Sequence, residues 1–416
     1  MSNIRIYRHV MVALFLSVVL GGYLLENLGV AYVSEGGSPI QKIHLYSYII
    51  LLSAGVLFSS QGLKNTLRSL DQFSNIWLLS MLCLTFVILY GLAKYGTSGM
   101  AYLVNTFLSP LLIFPLLARL DRKQLSNVIK LIAYLILVNS LLALVEYALQ
   151  NRFVDVEIGS FSHFRSTALM THPLNNALIT VSVAILLCSQ TRLPNFVYFG
   201  VTVLALFAFG GRASLGIFCL GAMAVGLPVM WRFLVQGGQV NKVKFALLVL
   251  LGYLSCVVFV GVLLGTGITE RIASKMYVDT SAMARFDVFY LLEQLQPNEW
   301  LFGASENLLL NIESYIGISV IENYIIGWVF TFGLIGALPL MICLLSPLSY
   351  FFFRGDFSTK MSILVFLVAG ISNNSLTTKT PVLLIMFTVV FCVYKISNST
   401  MTIHRKNSFP TSPESW

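Results

Sequence analysis

Charge is what this sequence has least of. Asp, Glu, Lys and Arg make up only 10% of its 416 residues, whereas 57% are hydrophobic. A water-soluble domain of this size carries roughly 25% charged residues to cover its surface, so water is not the solvent of most of this chain. Carboxylates are scarcer than bases, 17 against 26, which gives a net charge of +9. Such an excess suits nucleic acid where the bases form a stripe; here they are scattered over short connections, and nucleic acid is not expected as a partner. The six cysteines (Cys83, Cys188, Cys219, Cys256, Cys343, Cys392) include no CxxC pair and no Cys/His cluster. Disulfides and thiolate metal sites are thereby excluded, and small core residues are expected instead. No P-loop, Gly-rich dinucleotide turn, HExxH, GxSxG or DxD pair occurs. Those gaps argue against a nucleotide-driven pump and against a metal-held nucleotide sugar, and no cofactor or metal is expected.

What the chain has in quantity is long apolar runs. A bilayer core of ~30 Å takes about 20 helical residues to cross. The runs predict an all-α, polytopic integral membrane protein with about twelve transmembrane helices. They centre on 10–25, 43–58, 76–93, 101–117, 128–149, 174–188, 196–209, 213–230, 245–264, 325–345, 361–371 and 381–394. The first run has a basic start, as a signal peptide does, but it is long and lacks a small-x-small cleavage site, so an anchor that stays is expected. Residues 1–396 are read as the membrane domain and 397–416 as a polar tail expected to be disordered. One large loop covers 265–321. In it, Val288, Phe289, Leu291, Leu292 and Leu295 share a helical face, which predicts an amphipathic helix on the membrane surface.

Nine of the 26 Lys and Arg residues fall on one side of this arrangement: Lys42, Lys94, Arg152, Arg165, Arg212, Arg271, Lys275, Arg285 and Lys379. The other 17 fall opposite. Cytoplasmic loops carry the excess of Lys and Arg. The nine are therefore placed outside, and an even number of spans puts both termini in the cytoplasm.

Outer arginines run against that rule and draw the attention. Most of the outer bases cluster near 152–173 and 271–285, with Arg212 between two spans. Arginine's planar fork matches phosphate oxygens, so convergence of these residues suggests a diphosphate; each also suits a lipid headgroup or a local acid such as Asp155 or Glu157. Arg212, between Gly211 and Ala213 at a membrane boundary, needs an anionic or carbonyl partner. His163 and His172 are outer histidines. His172 precedes Pro173 and so lies on extended backbone, placed either for acid–base work or for structure alone. Glu322, beside Asn323 and Tyr324, opens the next span. It reads either as a carboxylate favoured by the helix dipole or as a general base.

Four stretches resemble the O-antigen ligase and O-antigen polymerase superfamily. FRSTALMTHPLNNALI (164–179) is similar to its Arg…Pro-x-Asn approach to a span, and FAFGGRASLGIF (207–218) to its Gly-Arg-x-Ser turn. ARFDVFYLLEQLQPNEWLFGASEN (284–307) is similar to its large outer loop, and ENYIIGWVFTFGLIGALPL (322–340) to the span that follows. Ligases of the family usually carry a histidine where this chain has Glu322, a departure that favours the polymerase branch. The resemblance implies a metal-independent glycosyltransferase in the inner (cytoplasmic) membrane. It would move a glycan from undecaprenyl diphosphate to a lipid-linked repeat unit, making O-antigen or exopolysaccharide. Arg165, Arg212 and Arg285 would hold the diphosphate and Glu322 would take the acceptor proton. His172, Asn175, Asn323 and Tyr324 would line the site. The partners implied are the lipid-linked glycan, membrane lipid, a chain-length regulator and a flippase. A ligase acting on a lipid or protein acceptor, and a transporter of lipid-linked sugars, are the alternatives.

Overall fold

A computed structural model describes residues 3–34, 36–154, 156, 164–170, 172–236, 290–311, 321 and 323–407. The expected span at 245–264, most of the loop at 265–321, Arg285 and Glu322 lie outside the described residues. Among the described residues there are helices and no strand. In chain order they are α1 (Asn3–Val19), α2 (Gly22–Asn27), α3 (Leu45–Ser69), α4 (Ser74–Tyr95), α5 (Ser109–Leu117), α6 (Arg122–Leu149) and α7 (Pro173–Leu187). There follow α8 (Asn195–Ala208), α9 (Arg212–Gln236), α10 (Pro297–Phe302), α11 (Glu306–Asn311), α12 (Tyr324–Arg354), α13 (Phe357–Ile371) and α14 (Val382–Asn407). Five are long and apolar enough to cross a membrane: Leu45–Ser69, Asp71–Tyr95, Arg122–Leu149, Pro173–Gln190 and Tyr324–Arg354. Five shorter apolar helices accompany them. The last helix continues past Ser397 to Asn407, into the segment read from sequence as a tail.

The caps follow from the sequence. Asp121 and Gln124 form a capping box at the start of α6, and the Asp356 side chain accepts from Thr359 N at 2.9 Å to start α13. Each satisfies orphan N–H groups that lipid would leave unpaired. Helices that are apolar all round sit in the centre. All nine residues of α5 are buried, and so is every residue of α14 from Val382 to Cys392. Helix α14 packs on α5, α6 and α7, while α12 packs on α4 and α13 on α7. Lipid tails are as apolar as leucine, so close packing and hydrogen bonds between helices must hold them together. Trp77 Nε1 donates to Leu111 O at 2.8 Å, and the Ser80 and Ser346 hydroxyls meet at 2.9 Å. The cysteine expectation needs one correction. Cys343 and Cys392 are buried and Cys83 and Cys188 half-buried, but Cys219, on α9, is exposed, and Cys256 lies outside the described residues.

Contacts divide the polar residues between two ends. At one end, Lys395 pairs with Asp71 at 3.1 Å and Arg119 donates to Asn65 O at 3.1 Å. At the other, Thr106 donates to Thr378 O at 2.6 Å, Lys94 to Thr331 O at 3.3 Å, and Arg152 to Arg165 O at 3.2 Å. Two apolar runs are less regular than their composition suggests. Residues Leu103–Leu108 form a π turn before α5, and α12 breaks at Gly333, which has φ +63°. The break lets α10 dock: a Cβ at 333 would lie 2.1 Å from Leu301 O. Of the carbonyls it frees, Phe330 O accepts from Ala304 N at 2.7 Å and Thr331 O from Lys94 and Tyr95. Gly333→Ala is expected to cost about 3 kcal/mol, from a positive φ and a backbone collision together. Gly200→Ala, where nothing lies within 4 Å of the new Cβ, should be neutral. The midpoint of SDS-induced unfolding of the purified protein compares the two.

Candidate functional site

The second end holds a non-helical segment, 164–170, threaded between helices. Its Ser166, Thr167 and Ala168 are buried. Irregular backbone at such depth survives only when its polar groups are bonded within the protein. Here the amides of 166–169 each have an acceptor. Ser166 N donates to Ala208 O at 3.0 Å. Thr167 N and Ala168 N donate to Glu146 Oε2 at 2.8 and 2.9 Å. Leu169 N donates to Asn139 Oδ1 at 3.0 Å. Glu146 is wholly buried and its Oε1 also accepts from Phe153 N at 3.0 Å. Asn139 Nδ2 in turn donates to Asn176 Oδ1 at 2.8 Å, and Asn176 Nδ2 donates to Thr167 O at 2.6 Å and His172 O at 3.0 Å.

This scaffold fixes three of the residues singled out from sequence. Arg165 leaves the segment and runs past Gly210, whose absent Cβ would lie 3.0 Å from both Cδ and Nε of Arg165. Gly210 has φ +73°, which serves the turn that Arg165 crosses. Two residues on, Arg212 is exposed and opens α9, so its charge sits beside the N–H groups of a helix start. Helix starts of this kind attract anions. His172 follows the segment. Its Nδ1 is buried without a hydrogen-bond partner. Burial, and then the nearby Arg165 charge, push its pKa from 6.5 down to about 4.

His172 is therefore neutral at neutral pH, and its proton inventory has a measurable consequence. The unfolded chain protonates it near 6.5, the folded protein near 4. Between those values the unfolded state binds the extra proton, so this histidine's contribution to stability falls as pH falls through that window. His172→Gln should remove that part of the acid sensitivity. The drop in melting temperature between pH 7 and pH 4.5 should be smaller in the variant than in the parent.

Asn175 and α12 meet through the connection between α13 and α14. Ser375 Oγ lies 2.5 Å from both Asn175 Oδ1 and Asn373 Oδ1, its single proton serving one of them at a time. Asn373 Nδ2 donates to Leu174 O at 2.9 Å. On the other flank, Trp328 Nε1 donates to Leu376 O at 3.3 Å. Asn323 caps α12, its Oδ1 accepting from Ile325 N at 3.0 Å and Ile326 N at 3.2 Å. Tyr324 is buried, its ring edge-on to Trp328 at 4.8 Å. Further along the connection, Lys379 donates to Tyr32 O and lies over the Tyr32 ring at 4.5 Å. Burial, and then Lys42, bring the Lys379 pKa down to about 8.

Arg165 and His172 are thus neighbours, and Arg212 follows two residues after the Gly210 that Arg165 crosses. Asn175, Asn323 and Tyr324 are linked through 373–376. Sequence reasoning missed Glu146, Asn139 and Ser375. A carboxylate inside an apolar run is itself a signal, and Glu146 carried it. Among the described residues no three His, Cys, Asp or Glu side chains converge to hold a metal ion. No protein-family model matches the chain, and no curated protein matches it.

Proposed function

We propose that this protein is a polysaccharide polymerase of the cytoplasmic membrane, acting at its outer face on glycans carried by undecaprenyl diphosphate. The observation that carries the reading is Arg165 lying near neutral His172 and against Gly210, two residues before the helix start at Arg212. Two guanidinium groups and a helix start suit a diphosphate, the leaving group of such a transfer. The resemblance of four ordered motifs adds Arg285 as a third arginine and Glu322 as the base. In this reading the chain has about twelve spans, the Arg165 end is outside and both termini are cytoplasmic. The arginines hold the diphosphate and stabilise charge as the glycosyl bond breaks. Glu322 accepts the proton of the attacking hydroxyl. Asn175 and Asn323 border the path of the sugars, and Tyr324 fixes the start of α12 beside Glu322. Apolar grooves between spans receive the polyprenyl chains.

The length of undecaprenyl-linked glycan in cells lacking the protein tests this directly. Single repeat units at the outer face are the expected product. Accumulated long chains would mark a ligase instead, and repeat units trapped at the inner face would mark a transporter.

A further inference from the structure

At the end of the fold opposite Arg165, α3 bends at Gly62 (φ +75°, ψ 158°). The Asn65 side chain takes Gln61 O at 3.0 Å, and Arg119 reaches over from the α5–α6 connection to donate from Nη2 to Asn65 O at 3.1 Å. Arg119 Nε is buried and has no acceptor in the protein. A polar pocket of about 540 Å³ opens between Arg119, Arg68 and Ser60. Among the described residues no carboxylate lines it. Of the acids at this end, Asp71 is paired with Lys395 at 3.1 Å, while Asp121 and Asp356 accept from Gln124 N at 2.8 Å and Thr359 N at 2.9 Å as helix caps. Ser60 also belongs to a second groove of about 470 Å³, which runs along α3 over Leu52, Gly55 and Val56. Nothing lies within 4 Å of where a Gly55 Cβ would be, and Leu52 and Val56 are exposed on the same stretch. A doubly cationic pocket and an apolar groove therefore share one wall.

We propose that these two cavities form a single site for an anionic phospholipid, with its phosphate between Arg68 and Arg119 and one acyl chain laid along the groove. The guanidinium fork matches phosphate oxygens, and two guanidinium side chains line this pocket. With no carboxylate among the described lining residues, the cationic group of a zwitterionic headgroup finds no counter-charge, so the site selects heads of net negative charge. The groove accounts for a chain, which a free phosphate lacks. This inference does not rest on the polymerase reading, because it concerns the opposite end of the molecule.

Native mass spectrometry of the delipidated protein, with phosphatidylglycerol, phosphatidylcholine or inorganic phosphate added in turn, tests it. Phosphatidylglycerol should be retained in preference to phosphatidylcholine, and inorganic phosphate should not displace it. Arg119→Gln and Arg68→Gln should each weaken retention about tenfold, the worth of one charge-assisted contact. Gly55→Leu fills the groove without touching either arginine and should weaken it too. Arg68 and Gly55 are both exposed, so their variants keep the test sound if Arg119→Gln fails to fold. Equal retention of the two lipids, displacement by inorganic phosphate, or unchanged retention in Arg68→Gln and Gly55→Leu overturns the proposal.

Discussion

Glu146→Ala is expected to destabilise the protein by about 4 kcal/mol, because it strips the acceptor from two buried backbone amides and a third that is half-buried. Those amides are Phe153 N, Thr167 N and Ala168 N. Thr167 N and Ala168 N have no water to turn to at that depth, and Ala168 is held at φ +43°, a left-handed conformation that alanine disfavours. The segment would lose its anchor on α6 together with the placement of Arg165. Glu146→Gln is the graded control. Its single carboxamide oxygen can serve Thr167 N and Ala168 N, while its NH2 group faces Phe153 N, so about 2 kcal/mol should be lost. SDS-induced unfolding should rank parent, Gln variant and Ala variant in that order. Limited proteolysis should open the Ala variant first within 164–170. An Ala variant as stable and as protease-resistant as the parent would show that the carboxylate does not hold the segment.

Why this carboxylate escaped sequence reasoning is a matter of distance along the chain. Its amide partners are 21 and 22 residues downstream, and backbone N–H groups carry no side-chain signature. The same holds for Asn139, which meets Asn176 across 37 residues. What could be read were features set by the solvent. Apolar runs give helices because lipid leaves no other way to satisfy the backbone, and α3, α4, α6, α7 and α12 follow the runs closely. Arg165, His172 and Arg212 stood out because charge and imidazole at a membrane boundary need a reason, and the structure sets Arg165 near His172 and against Gly210, two residues before Arg212. Breaks inside runs were harder. The stretch FTFGLIG reads as helix by composition, yet Gly333 interrupts α12 so that α10 can dock. The π turn at Leu103–Leu108 lies in an equally apolar run. In both places the deciding partner is a distant segment, and no local pattern reports it. Cys219 shows the converse. An apolar neighbourhood in sequence is as compatible with facing lipid as with facing the core, and only the packing of α9 decides between them.

The polymerase reading makes its sharpest demand on the arginines. If Arg165 and Arg212 act as fixed phosphate forks, lysine keeps the charge but loses the paired geometry. Arg165→Lys or Arg212→Lys should then lower turnover about a hundredfold, the typical loss for one donor aimed at developing negative charge. Arg165 has the stricter constraint, because its side chain is already confined against Gly210. Expression and membrane insertion should stay near those of the parent, since neither substitution alters an apolar face. Arg192, exposed in the turn between α7 and α8, should tolerate the same change and serves as the control. Glu322→Gln separates binding from chemistry. It preserves shape and hydrogen bonding and removes basicity, so lipid-linked donor should still bind while transfer fails. With His172 neutral at the working pH, that ring remains able to accept a proton, and an active Glu322→Gln enzyme would move the base to His172. A His172→Gln variant would then lose turnover in place of Glu322→Gln. Unchanged turnover in both lysine variants would make these arginines membrane anchors and would remove the diphosphate from this end of the fold.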